Sequence, residues 1–209
     1  MGLAPAVAEI LAAAARVEIF EVNASHATHN PPPNKTPQRS FFAKLARIWR
    51  HRWMDERDVR AATPPELLSK LERFTKASEA RHSGEIRICI EAGLPMSYIW
   101  RDATPRERAI AMFGKLRVWD TQQNNGVLIY ELLAERSIEI IADRAVSMPA
   151  NSVFWQESVN KLSAHLKQGD FERGLTQALE EISALLVQRF PIDANAVHKN
   201  ELSDRPDIR

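Results

Sequence analysis

Apolar residues first recur at helical spacing in FFAKLARIWRHRW, where Phe41, Leu45, Ile48, Trp49 and Trp53 share one side and Lys44, Arg47, Arg50 and His51 fill much of the rest. The pattern predicts a basic amphipathic helix. In ATPPELLSKLERFTKASEARHSGE a second helix begins with Thr63 as N-cap, Pro64 first and Glu66 third after the cap. Its stripe runs through Leu67, Leu71 and Phe74 to an end near Ser83 and Gly84. The period then changes to two. Ile86, Ile88 and Ile90 alternate with mostly polar residues in EIRICIEAG, as in a strand. The start signal returns at Thr104, Pro105 and Glu107, ahead of a helix carrying Ala109, Ile110, Phe113 and Leu116. GVLIYELLA and SIEIIAD follow as strands, separated by so few residues around Glu135 and Arg136 that an antiparallel hairpin is expected. Their near-continuous apolar content predicts burial on both faces. Two further helical patterns, ANSVFWQESVNKLSAHLKQ and DFERGLTQALEEISALLVQRF, are split by Gly169 as a stop and Asp170 as the next N-cap.

This order predicts an α/β domain with a small mixed β-sheet flanked by helices. Residues 1–39 read as a disordered extension, because NASHATHNPPPNKTPQRS has the composition of a linker; a start codon assigned too far upstream would look the same. Residues 40–61 form the basic helical segment, 62–191 the domain, and 192–209 a polar tail expected to be flexible.

With 44% hydrophobic and 26% charged residues the chain has an ordinary globular composition. Its net charge of +1 gives no global attraction to nucleic acid, and no nucleic-acid partner is expected. The charge is uneven: from Lys35 to Arg60 eight Lys or Arg stand against three acids. Two readings of the helix at 41–53 follow. Either Phe41, Trp49 and Trp53 enter a membrane boundary or an acidic partner while Lys44, Arg47 and Arg50 meet anionic groups, or the aromatic face packs on the domain. The single Cys89 excludes a disulfide framework and suits a buried strand. The opening MGLAPAVAEILAAAARVEIF lacks a basic start and is interrupted by Glu9, Arg16 and Glu18, so it reads poorly as a signal peptide. No uncharged run approaches the ~20 residues a membrane span needs. The expected location is cytoplasmic, peripheral to a membrane if the basic helix docks there.

The polar run Asp120, Gln122, Gln123, Asn124, Asn125 and Gly126 offers hard oxygen ligands that suit Ca²⁺ or Mg²⁺ better than zinc. As a calcium loop it would end correctly at Glu131, but Asn125 stands where that motif needs glycine and a strand replaces its second helix. The competing reading is that Asn125-Gly126 simply permits a sharp turn. Glu85 and Asp143 each lie at a predicted strand end, where neighbouring strands can bring carboxylates together with Asp120; otherwise they are solvated ends paired with Arg87 and Arg144. No two histidines have zinc-site spacing within one element, and no serine sits in a nucleophile elbow.

Taken together, SGEIRICIEAG, RAIAMFGKLRVWDTQQNNGVLIYELLAERSIEIIADRAV and LKQGDFERGLTQALEEISALL resemble the TPM domain family over about residues 60–190. The most specific features are Asn125 to Leu128 behind a polar loop, and Gly169-Asp170-Phe171 with Gly174-Leu175. The resemblance implies a three-layer α/β/α sandwich, a divalent-metal site, and the weak acid phosphatase activity proposed for plant members. Carried over, the acidic loop falls on Asp120, with Asn124 and Asn125 beside it, and Glu85 matches the acidic position at the first strand. Ala142, Asp143, Arg144 and Ala145 replace the glycine-rich turn common after the second hairpin strand. Many bacterial relatives carry an export signal and membrane anchor, whereas this chain resembles a short cytoplasmic branch, expected to be accessory or binding proteins at the membrane. The leading expectation is therefore a cation-binding interaction domain, with Ca²⁺ ahead of Mg²⁺ and no organic cofactor, docked to an unidentified protein, a membrane complex or an anionic membrane surface. The alternative is a metal-dependent phosphatase in which Asp120 holds the cation, with Arg117 and Arg144 the cationic groups nearest the site.

Overall fold

A computed structural model of the 209-residue chain describes residues 41–53, 56–147, 171–192 and 200–209. The extension at 1–39 and the helix expected over ANSVFWQESVNKLSAHLKQ lie outside the described residues.

Helices α1 (Phe41–Trp53), α2 (Glu56–Ala62) and α3 (Pro65–Glu79) precede strand β1 (Glu85–Glu91). Short α4 (Met96–Trp100) and α5 (Pro105–Lys115) lead to β2 (Gly126–Leu132), a 3₁₀ turn (Leu133–Glu135) and β3 (Ser137–Ala142). One turn, α6 (Arg144–Ser147), the long α7 (Phe171–Arg189) and β4 (Asp207–Ile208) complete the series. The sheet order is β3-β2-β1-β4. β1 runs parallel to β2, from Glu85↔Gly126 to Glu91↔Leu132, and β3 returns antiparallel from Leu132↔Ser137 to Val127↔Ala142. The hairpin closes as its spacing predicts: Arg136 takes a left-handed conformation at φ 52°, reversing the chain immediately after the 3₁₀ turn.

Period-two alternation builds a core on each side of the sheet. Ile86, Ile88 and Ile90 with Val127 and Ile129 face α3 and α7, against Leu71, Leu175 and Ile182. Cys89, Leu128 and Tyr130 face α4 and α5, against Ile99, Ala109 and Met112. All seven residues of β2 are buried, as a strand covered on both faces requires. Helices above and below a mixed sheet make the three-layer α/β/α sandwich. Each fully buried Ile or Leu contributes about 1.5–3 kcal/mol through removal from water.

The two start signals diverge. Thr104 forms a complete capping box, receiving the Glu107 amide at 3.2 Å while the Glu107 carboxylate accepts the Thr104 amide at 3.1 Å. Thr63 does not cap α3; its hydroxyl donates to the Val59 carbonyl at 2.6 Å, closing the end of α2, and Pro64 takes the cap position. Nor is all of 192–209 a flexible tail: residues 200–209 lie against the sheet, where Asp207 and Ile208 pair in parallel with Cys89 and Ile90.

Candidate functional site

The loop between α5 and β2 is stapled from within. Arg117 and Asn124 adopt left-handed conformations at φ 57° and 51°, and the Asp120 amide donates to the Arg117 carbonyl at 2.9 Å. Asn125 is buried; its amide donates to Thr121 Oγ1 at 3.0 Å and its Nδ2 to the Ser83 carbonyl at 2.9 Å, fastening the loop to the start of β1. The left-handed residue of this turn is thus Asn124, just ahead of Asn125-Gly126. Gly126 serves close approach instead: a Cβ there would lie 2.0 Å from the Val118 carbonyl oxygen.

Register brings Glu85, Gly126 and Asp143 to one end of the sheet: Glu85 is paired with Gly126, whose carbonyl accepts the Asp143 amide at 2.8 Å. Their side chains do not share a target. Glu85 is fully buried and accepts the backbone amides of Glu201 and Leu202, both at 3.1 Å. Asp120 is half exposed and reaches Arg117 at 3.8 Å. Asp143 accepts the Arg144 amide on Oδ1 at 2.6 Å, whereas its buried Oδ2 has no hydrogen-bond partner among the described residues. Burial pushes the Asp143 carboxyl above its ordinary range, against the opposing pull of that amide and the Arg144 charge. The Asn124 carbonyl accepts the Ala145 amide at 3.2 Å, two residues past Asp143. Of the five expected cation ligands, Glu85, Asn125 and Asp120 are turned to other partners, and the Asn124 carbonyl is taken by the Ala145 amide. Among the described residues, no group of three or more His, Cys, Asp or Glu side chains is arranged to hold a metal ion.

Glu79, at the end of α3, belongs to the same end of the molecule and had no marker in the sequence. Its Oε1 accepts the Ile86 amide at 2.8 Å, and its buried Oε2 receives no donor among the described residues. Burial, then the nearby Glu85 and Asp204 carboxylates, push Glu79 up to about 9, so it is protonated at neutral pH.

The basic helix shows a larger departure. Arg47, expected to face lipid or an acidic partner, is 3% exposed and points into the protein. Its Nε donates to Glu135 at 2.5 Å, its Nη1 to Asp102 at 3.0 Å and its Nη2 to the Ala103 carbonyl at 2.5 Å. His51 is also buried: its Nδ1 accepts the Leu94 amide at 3.0 Å, which leaves the proton on Nε2 to be donated to Glu135 at 2.9 Å. Burial alone would raise Glu135; the His51 and Arg47 hydrogen bonds with the Arg47 charge outweigh it and lower its pKa. With this side of α1 anchored, Leu45 and Trp49 stand outward, 47% and 65% exposed. The side chains of Phe41, Lys44, Arg50 and Trp53 lie outside the described residues. Met96 and Trp100 of the neighbouring α4 are likewise exposed, at 51% and 79%.

On the α5 side of the sheet, Arg108 grips Glu91 through Nε and Nη2 at 2.9 and 2.6 Å, and the Tyr130 hydroxyl donates to Glu91 at 2.6 Å. The Arg108 guanidinium stacks 5.0 Å from the Tyr98 ring. Both oxygens of the buried Glu91 carboxylate are satisfied, so this network fastens α5 to the sheet.

A mixed four-stranded sheet between helices, with an Asn-Gly-Val-Leu strand entry beside an acidic strand start, defines the class of small α/β sandwich domains to which the TPM domain belongs. Residues 64–185, more than half of the chain, match the TPM domain family, and the chain belongs to it. Among solved structures it is similar to the NMR structure of BA42 protein from the psychrophilic bacterium Bizionia argentinensis, at 25% identity and a TM-score of 0.60. That similarity covers 69% of this chain and 93% of BA42. No curated protein sequence matches it. Among the described residues no helix is long and apolar enough to cross a membrane.

Proposed function

We propose that this TPM domain is a non-enzymatic interaction module that docks on an anionic membrane surface through the outward side of α1. The observation that carries this reading is the inward turn of Arg47 and His51, which fixes α1 while Leu45 and Trp49 face out. Met96 and Trp100 extend the apolar surface onto α4, and exposed Arg52 supplies positive charge on α1, whereas Arg101 is paired with Glu107 at 2.5 Å. Tryptophan and leucine can enter the headgroup boundary while arginines meet anionic lipid. Co-sedimentation with phosphatidylcholine vesicles, with and without phosphatidylserine, tests it. Binding should require phosphatidylserine, weaken with salt, and fall at least tenfold in Trp49→Ser/Trp100→Ser; binding indifferent to both substitutions would refute the reading.

A divalent cation at the loop end of the sheet is a second reading, supported by the buried Asp143 Oδ2, which has no hydrogen-bond partner among the described residues. Ca²⁺ suits these oxygen donors. Bound cation should raise the melting temperature by mass action, and Asp143→Asn should abolish the rise. A metal-dependent phosphatase is the enzymatic alternative, supported by the family resemblance, and a generic phosphate ester assayed on the same two proteins separates it from binding alone.

A further inference from the structure

Residues 200–209 lie beyond the span that matches the family, 64–185, yet they follow the outer edge of β1. What holds them is directed mostly at backbone. Glu85 accepts the Glu201 and Leu202 amides. Arg87 Nη1 donates to the carbonyls of Ser203 and, at 2.7 Å, Arg205. Beyond the paired Asp207 and Ile208, the Arg209 amide donates to the Ile90 carbonyl at 2.9 Å and its carbonyl accepts the Ala92 amide at 2.7 Å. The apolar anchors are Leu202, packed on the core that contains Cys89, and buried Pro206, four positions later.

We propose that the outer edge of β1 is a strand-addition site for extended peptides, filled in cis by residues 200–209 and open to a partner chain that presents an apolar residue four positions before a proline. Recognition aimed at main-chain groups does not read sequence, so a second extended strand with the same two anchors satisfies Glu85, Arg87 and the ladder equally. The tethered segment competes at an effective concentration on the order of millimolar, which keeps the edge closed against weak ligands. Displacement also withdraws the Glu201 carboxylate from the Gln122 amide, 3.0 Å away, and so uncovers the loop before β2.

The test is fluorescence anisotropy with a labelled peptide of residues 200–209 and three full-length proteins: wild type, Leu202→Asp, and Leu202→Asp/Arg87→Ala. Leu202→Asp unseats the cis segment by placing a charge in the apolar core. It should bind the peptide at least tenfold more tightly than wild type, and the added Arg87→Ala should lose at least tenfold of that. Equal binding by wild type and Leu202→Asp, or binding insensitive to Arg87→Ala, would overturn the proposal. If Leu202→Asp does not fold, hydrogen exchange of the wild type decides. The Leu202 and Arg209 amides should exchange together and at least tenfold faster than those within β2, and exchange of both only with the β2 core would overturn it.

Discussion

Replacing Arg47 with Met keeps the apolar stem and removes the guanidinium that joins α1 to Glu135, Asp102 and Ala103. The Arg47 and Glu135 side chains are 3% and 11% exposed, so solvent cannot substitute for the lost partner. Removing one member of a buried ion pair costs about 3–5 kcal/mol. Glu135 retains His51 at 2.9 Å, which places Arg47→Met at the lower end, about 3 kcal/mol. For a chain of this size that corresponds to a fall in Tm of about 6–12 °C. Urea unfolding of Arg47→Met, Glu135→Leu and the double variant completes a thermodynamic cycle. A coupling of about 1–3 kcal/mol is expected, because Glu135→Leu removes the charge that Arg47→Met would otherwise strand. A single variant within about 0.5 kcal/mol of wild type, or a coupling near zero, would show that the network does not anchor the helix.

Three further outcomes are expected. Gly126→Ala should cost more than about 3 kcal/mol, since its Cβ would lie 2.0 Å from the Val118 carbonyl, whereas Gly84→Ala meets the flexible Leu186 side chain at 2.7 Å and should cost about 1 kcal/mol; equal urea midpoints would refute the contrast. Glu79 rises from 4.5 to about 9 on folding, so between those values the folded chain holds the extra proton and stability falls as pH increases, by about 1.4 kcal/mol per pH unit from such a group. Glu131 adds to the slope up to about 8, and Glu79→Gln should stabilise at pH 8 far more than at pH 5; identical pH slopes would exclude this assignment. Burial, then the Asp207 and Glu91 carboxylates, push the Cys89 thiol up to about 12, so iodoacetamide at pH 8 should spare the native protein and label it in guanidinium, and prompt native labelling would contradict it.

β1, β2, β3 and the Thr104 capping box were legible because their determinants are local: alternation in β1, a short apolar run in β2 and β3, or a contact across three residues. The orientation of α1 was not. Its periodicity marks Leu45 and Trp49 as an apolar side, but Arg47 answers to Asp102 and Glu135, 55 and 88 positions away. Thr63 misled for a related reason, since the short α2 before it carries little apolar periodicity and offered the hydroxyl an alternative acceptor at Val59. Strand ends placed Glu85 and Asp143 at one end of the sheet. That the Glu85 carboxylate would be spent on amides 116 and 117 positions downstream depends on a polar segment with too few apolar residues to announce that it docks. α4 was missed because five residues are too few to display a helical period.

The pairing of Asp207 and Ile208 with β1 also bears on solubility. IRICI, residues 86–90, is apolar apart from Arg87 and carries three β-branched isoleucines, a composition prone to edge pairing when its edge is bare. Residues 200–209 cover that edge with a strand of only two residues, flanked by Pro206, which lacks an amide donor, and the charged Arg209. The contacts that seat residues 200–209 thus also guard the β1 edge against pairing with a second copy of the chain.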